Sequence, residues 1–336
     1  MNQQPLLTIA IPTWQRASFL ARNLAQLARE LAGTTDPVEV LVSDNASSDA
    51  TPEVVQQAMQ AGLPIRYIRN AMNIGSDANI AQCFNLAQGK FVLLLSDDDL
   101  FVDNALSWLL QRLEQGKFGV VCLRPYGYEV DARKEYPGGK EGERAFDDGG
   151  AFLAAINSRV TLISACIINK NLLLGVDAQE FCGGNLVQVH LVIQAALLAK
   201  TNLLTDHYLI ACKRNNSGGY HFSGVFVKEL GRILDRYQSM GLTSKAIRAF
   251  ETRLLLGYYP FYLLQQRSAR RKDLSVIYEH FSARFGNRWL FHCWVAPILR
   301  LPRPLAILWG LGVTVVGRIV SGDLRRGIMF TWNRIQ

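Results

Sequence analysis

The sequence predicts an α/β protein built on a mostly parallel, Rossmann-like sheet flanked by helices and followed by a helical, basic C-terminal region. Three observations support this. Short apolar runs alternate with helically spaced segments four times in the first third of the chain, unusual polar residues stand just after each run, and positive charge gathers in the last third. Leu6 to Ile11 reads as the first strand, closed by Pro12-Thr13. Ala17 to Ala32 follows as a helix, with Leu20, Leu24, Leu27 and Leu31 on one face. Val38 to Ser43 is the second strand and Asp44 to Asp49 a polar turn, after which Thr51-Pro52-Glu53 starts a helix with Thr51 as its cap. Ile65 to Arg69 is a third strand and Ile74 to Ala87 a helix, and Phe91 to Leu95 is a fourth strand that runs into Ser96-Asp97-Asp98-Asp99 before the helix Ala105 to Leu113. Strands separated by helices must pair in parallel, because a parallel partner needs a long crossover.

A chain of 336 residues with 49% hydrophobic content can bury a substantial core, and no repeat or low-complexity tract interrupts it. The expected division is a sheet domain over residues 1–225, itself in two parts (1–115 and 116–225), then a basic helical region over 226–336. The glycine-rich stretches at 138–142 and 147–150 read as loops around a junction. Residues 228–336 hold 18 Lys/Arg against 6 Asp/Glu, leaving 18 against 22 before them. Basic residues there, Arg267, Arg270, Arg271 and Lys272 among them, mix with apolar segments containing Trp289, Trp294, Trp309 and Trp332. That pattern suits an anionic membrane surface better than nucleic acid. Arg300, Pro302, Arg303 and Pro304 break the longest apolar stretch below the roughly 18–20 residues a spanning helix needs, so attachment to one leaflet is expected. The first strand is short and lacks a basic flank, which argues against a signal peptide and for the cytoplasmic face. Six cysteines without CxxC spacing read as reduced thiols.

The apolar strand ending in Asp97-Asp98-Asp99 carries the most chemistry. A turn there lets carboxylates face a common point, where their oxygens suit Mg²⁺ or Mn²⁺. A solvated turn capping the next helix is the plain alternative. Ligands of parallel sheets bind beyond the carboxyl ends of the strands, where Thr13, Arg16, Asp44, Asn45, Asn73, Gly75 and Asp97 to Asp99 all fall. No GxGxxG follows a strand and no GxxxxGK[ST] occurs, so phosphate has no glycine cradle of either kind.

In order and spacing, Ile11-Pro12-Thr13-Trp14-Gln15-Arg16, Ser43-Asp44-Asn45-Ala46-Ser47-Ser48-Asp49, Asn73-Ile74-Gly75 with Asn79, and Ser96-Asp97-Asp98-Asp99 resemble the family 2 glycosyltransferases of GT-A fold. The turn and the Ser-Asp-Asp end are most similar to the abequosyltransferase-like branch that serves O-antigen assembly. The resemblance is tight over residues 6–110 and loose to about 225. It implies that Pro12, Thr13 and Arg16 line a nucleotide pocket, that Asp44 accepts a hydrogen bond from a pyrimidine, that Asn73 and Asn79 brace the neighbouring loop beside Asn45 and Gly75, and that Asp98 holds the metal with Asp99 nearby. The family's first acid of this motif is Ser96 here, with Asp97 beside it to compensate.

The catalytic aspartate that family members place before a helix is missing from Gly183-Gly184-Asn185-Leu186-Val187-Gln188-Val189-His190. His190 stands near its position, with Glu180 as the alternative base. His221, on a polar loop with Arg214, is a further metal or diphosphate candidate. The expected activity is metal-assisted, inverting transfer from a nucleotide sugar to a polyprenyl-diphosphate-linked saccharide, with no nucleic-acid partner. Nucleotidyl transfer and a catalytically impaired saccharide- or lipid-binding protein are the alternatives, the latter suggested by Ser96 and the missing acid.

Overall fold

The computed structural model describes residues 4–32, 34, 37–139, 142–214, 219, 221–269 and 273–320. The chain forms two compact units, residues 1–218 and 219–336, dividing slightly before the expected 225/226.

In the first unit the apolar runs become β1 (Leu7–Thr13), β2 (Val38–Asp44), β3 (Ile65–Arg69) and β4 (Phe91–Leu94). They lie parallel in the order β3-β2-β1-β4, with Thr13 beside Asp44 and Asp44 beside Arg69 in register. Helices α1 (Ala17–Leu31), α2 (Thr51–Gln60) and α3 (Ser76–Leu86) make the crossovers. The sheet continues through β5 (Leu100–Phe101), β6 (Val120–Tyr128), β7 (Glu143–Phe146), β8 (Cys166–Asn169) and β9 (Asn202–Lys213). In this half the pairing is mixed: β8 runs antiparallel to both β4 and β6, whereas β6 and β9 are parallel. Helices α4 (Ala105–Gln115), α5 (Gly149–Ile156) and α6 (Val187–Leu198) belong to it.

Leu20, Leu24 and Leu27 of α1 are buried with Val40, Val42, Leu93 and Leu95, so the helical and strand periodicities close on one core. Each such side chain contributes about 1.5–3 kcal/mol on full burial. Thr51 does not cap α2. The N-cap position is Ala50, which has no capping side chain, and Asp49 just before it accepts the Thr51 N–H at 3.1 Å and the Thr51 hydroxyl at 2.6 Å through Oδ1. Nor is 147–150 an open loop: Asp148 caps α5 through the Ala151 N–H, and Gly149 lies so close to the Ala196 carbonyl that a Cβ would collide with it.

The second unit is helical among its described residues: α7 (Leu230–Arg236), α8 (Ser244–Arg253), α9 (Tyr259–Ser268), α10 (Leu274–Phe285), α11 (Ala296–Arg300) and α12 (Arg303–Val320). Its core is aromatic, with Tyr259, Phe281, Phe285 and Phe291 buried. Glu251 is nearly buried and holds both Arg284 (2.7 Å) and Arg288 (3.1 Å), so part of the basic character is spent on internal pairing. Trp289 is exposed, whereas Trp294 donates its indole N–H to the Leu256 carbonyl. Arg267 bonds the Leu301 carbonyl. Arg270, Arg271, Lys272 and Trp332 lie outside the described residues. Among the described residues no helix is long and apolar enough to cross a membrane, and the cysteines are free.

Candidate active site

The carboxyl ends of β1, β2 and β4 carry two adjoining lobes of hydrogen-bonded polar side chains. In the first, the backbone after β4 turns so that two of three successive carboxylates share Arg16 and the third faces β9. Asp97 Oδ2 accepts the Thr13 hydroxyl at 2.8 Å and its Oδ1 lies 3.2 Å from Arg16 Nε. Asp98 Oδ2 accepts from Arg16 Nη2 at 2.7 Å and its Oδ1 takes the Ser96 hydroxyl at 2.5 Å. Asp99 turns away toward β9, its Oδ1 accepting the Lys213 N–H at 3.0 Å and its Oδ2 facing Cys212 Sγ at 3.3 Å. Thr13, Arg16, Ser96, Asp97 and Asp98 are thus joined by direct bonds, with Pro12 next to Thr13 on β1, whereas Asp99 faces β9.

All three aspartates are at most 7% exposed. Burial raises the Asp97 carboxyl to about 7 against the pull of Arg16 and the Thr13 bond, and the neighbouring Asp98 adds to the rise. Asp99 is driven up by the same burial and the same neighbour, against Ser164, Cys212 and the Lys213 N–H. Burial thus disfavours negative charge here, and Arg16, whose guanidinium lies over the Phe19 ring, offsets it.

Residues not anticipated from sequence hold this turn. Asn23 of α1 donates to the carbonyls of Ser96 (3.2 Å) and Asp99 (2.7 Å), Ser164 accepts the Ser96 N–H (2.9 Å), and the Tyr128 hydroxyl donates to the Asp98 carbonyl (3.0 Å). A polar residue on the buried face of α1 was the available signal for Asn23. Ser164 and Tyr128 gave none.

The second lobe surrounds the end of β2. Asp44 is fully buried, its Oδ1 accepting the Ser47 N–H (2.9 Å) and its Oδ2 the Tyr67 hydroxyl (2.6 Å), with Arg69 Nε at 3.4 Å. It organises the turn, and a ligand N–H would have to share oxygens that protein donors already use. Asn45 donates to Asn73 Oδ1 (2.8 Å) and accepts the Ile74 N–H (2.9 Å), while Asn73 also accepts the Gly75 N–H (2.8 Å). Gly75 sits at φ +88°, where a side chain would be strained. Asn79 is buried against Ser43, donating to its carbonyl at 3.0 Å. Gln15, itself at φ 57°, ties the lobes together through the Ser47 and Ser48 hydroxyls.

The acceptor-side candidates lie further along the chain. His190 is 3% exposed on α6, stacked on Phe181 with ring centres 4.5 Å apart. Glu180 is exposed on the short turn Ala178–Phe181. After it the loop 183–185 is pinned to the first turn of α3, Asp77 Oδ2 accepting the N–H groups of Gly183 (2.7 Å) and Asn185 (2.9 Å). His221 belongs to the second unit, where its Nε2 lies 3.2 Å from Asp273 and its Nδ1 accepts the Gly224 N–H. Asn215 to Gly218 and Tyr220 lie outside the described residues.

Among the described residues no group of three His, Cys, Asp or Glu side chains is arranged to hold a metal. What the first lobe offers is a carboxylate and a hydroxyl, Asp98 and Ser96. Hard oxygen donors of this kind suit Mg²⁺ or Mn²⁺, and an ion here would have to share the Asp98 oxygens with the Ser96 hydroxyl and Arg16 and take its remaining ligands from phosphate and water.

Residues 8–173 match the family described as glycosyl transferase family 2. Abequosyltransferase RfbV of Salmonella typhimurium is 31% identical over 120 residues, which is 35% of this chain and 36% of that protein. A GalNAc(5)-diNAcBac-PP-undecaprenol beta-1,3-glucosyltransferase of Campylobacter jejuni is 32% identical over 135 residues, 40% of this chain and 43% of that one. The matches thus span less than half of either relative. Among solved structures, S. aureus TarS 1-349 aligns over 94% of this chain and 91% of its own with a TM-score of 0.60 at 16% identity, a likeness of fold. The mannosyltransferase PcManGT of Pyrobaculum calidifontis covers 99% of this chain and 81% of its own, with a TM-score of 0.51 at 14% identity. With the ordered motifs and the sheet in agreement, residues 8–173 carry a glycosyl transferase family 2 domain.

Proposed function

We propose that this protein transfers a sugar from a pyrimidine nucleotide sugar to a polyprenyl-diphosphate-linked saccharide, at the cytoplasmic face of the membrane where a cell-surface polysaccharide is assembled. The observation that carries the reading is the buried Asp97–Asp98 pair at the end of β4, charge-compensated by Arg16 at 3.2 and 2.7 Å. Relatives support the rest: TarS has been crystallised with UDP and UDP-GlcNAc, PcManGT has been solved in complex with GDP-Man and Mn²⁺, and the Campylobacter relative is named for an undecaprenol-linked acceptor.

In this reading the lobe of Asp44, Asn45, Asn73, Gly75 and Asn79 shapes the pocket for the base, and Pro12, Thr13 and Arg16 form its floor. Asp98 would hold a divalent ion with Ser96 and Asp97 beside it. Such an ion neutralises the diphosphate as it leaves. Thr13 orients Asp97, Ser96 orients Asp98, and Arg16 balances both carboxylates. The acceptor hydroxyl attacks the anomeric carbon as the bond to the diphosphate breaks, inverting that carbon, and a base takes the hydroxyl proton. We assign that proton to Glu180, since an acceptor can reach an exposed carboxylate but not an imidazole packed under Phe181. Glu180→Gln should lower turnover by roughly 10²–10⁴ with unchanged donor affinity, the usual range for losing a general base, while His190→Phe stays active. The opposite pattern returns the role to His190.

The test is transfer from a panel of nucleotide sugars to polyprenyl-diphosphate acceptors, with and without Mn²⁺. Glycosylated lipid and free nucleoside diphosphate are the expected products. Nucleotide binding without turnover of any donor would instead identify a binding protein, and release of pyrophosphate a nucleotidyltransferase.

A further inference from the structure

Helix α12 (Arg303–Val320) has two unlike sides. Ala306, Gly310, Val313 and Gly317 are buried against its own unit. A Cβ at Gly310 would stand 3.1 Å from Leu264, and one at Gly317 would collide with the Leu256 carbonyl. The glycines therefore let α12 lie directly on α9 and the turn before it. The other side carries Leu305, Leu308, Trp309, Leu311, Val315 and Ile319, between 41% and 69% exposed. Their spacing of three to four residues makes one continuous apolar stripe. A soluble surface seldom leaves a stripe of this kind uncovered.

The surrounding charge says what covers it. Between Glu279 and Asp323 the sequence contains no acidic residue, while Arg300 and Arg303 precede the stripe and Arg318 stands near its end. Arg303 fixes the start of the helix by donating to the Arg267 and Ser268 carbonyls, and the Arg318 guanidinium lies over Phe261. Apolar residues in the middle, tryptophan on the stripe and arginine at both ends form the pattern of a helix lying in an anionic lipid interface. Among the described residues no helix, α12 included, is long and apolar enough to cross a membrane.

We propose that α12 is the membrane-seating element of this protein, immersed by its Leu305–Ile319 stripe in an anionic phospholipid leaflet and parallel to its plane. The assignment deepens the membrane reading given above by naming the helix, the face and the lipid charge.

The test uses the full chain with phosphatidylcholine vesicles and with vesicles that also contain phosphatidylglycerol. Wild type should sediment with the anionic vesicles, and Trp309 fluorescence should be quenched by brominated acyl chains. The double variant Leu308→Glu/Val315→Glu, altered only at exposed positions, should lose vesicle binding by about tenfold or more. Its melting temperature and its affinity for UDP with Mn²⁺ should stay at the wild-type values. Equal vesicle binding by variant and wild type would overturn the proposal. So would a wild-type dimer that the variant dissolves while neither binds vesicles, since the stripe would then cover a second copy. Failure of UDP binding in both proteins, with vesicle binding lost only in the variant, would count against the nucleotide-sugar reading and leave α12 as assigned.

Discussion

Asp97, Asp98 and Asp99 are adjacent and chemically identical, yet the structure gives them three roles, and mutation should separate them. Asp98→Asn removes one of three crowded negative charges while Asp97 remains beside Arg16, so the melting temperature should hold or rise even as metal-dependent transfer is lost. Wild-type transfer by this variant at ordinary Mn²⁺ would end the assignment of Asp98 to the metal. Asp99→Ala should behave in the opposite way, because it strands the buried Lys213 N–H and the Asp99 partners on β9 and destabilises by about 1–3 kcal/mol for each group left unpaired. Urea denaturation measures the difference. Asp44→Ala leaves the Ser47 N–H and the Tyr67 hydroxyl without their acceptor, so it should weaken nucleotide binding and also lower stability by about 2 kcal/mol or more. Calorimetry beside a melting curve checks both, and an unchanged dissociation constant would reduce Asp44 to a turn residue. The sequence singled these three acids out as a group. It could not divide them, because Asp99 finds its partners on a strand more than a hundred residues away.

At the scale of elements, the first four strands and their helices were legible because apolar period and turn chemistry agree there, and the observed bounds differ from the expected ones by a residue or two. The lobe around Asn45, Asn73 and Gly75 was legible for the same local reason, since its bonds join residues at most about thirty positions apart. The mixed half of the sheet was not, because β8 and β9 pair with strands distant in sequence and carry no signal of direction. The acceptor side was read least well. α6 is apolar on every face, so spacing alone could not tell a buried His190 from one open to a substrate. The loop that precedes α6 is held by Asp77, a residue that the sequence presents only as an ordinary helix-start acid. Asp77→Ala should loosen residues 183–185 and cut turnover more than donor binding, since it acts on the segment beyond Glu180. Equal losses in both would place the loop in donor binding instead.

For the whole molecule, the net charge of +8 conceals an acidic unit built on the sheet and a basic helical one. The basic excess was visible from composition. Its division into internally paired arginines, such as Arg284 and Arg288 on Glu251, and those flanking α12 required the packing. The account rests on one claim, that the site at the ends of β1, β2 and β4 binds a nucleoside diphosphate through a divalent ion held at Asp98. The most direct measurement is titration of UDP into the full chain by calorimetry, with Mn²⁺ and with EDTA, in wild type and Asp98→Asn. Saturable binding that Mn²⁺ strengthens by about tenfold or more in wild type, and by little in the variant, is the predicted result. Binding that is equally strong in EDTA, or equally enhanced by Mn²⁺ in Asp98→Asn, would contradict it.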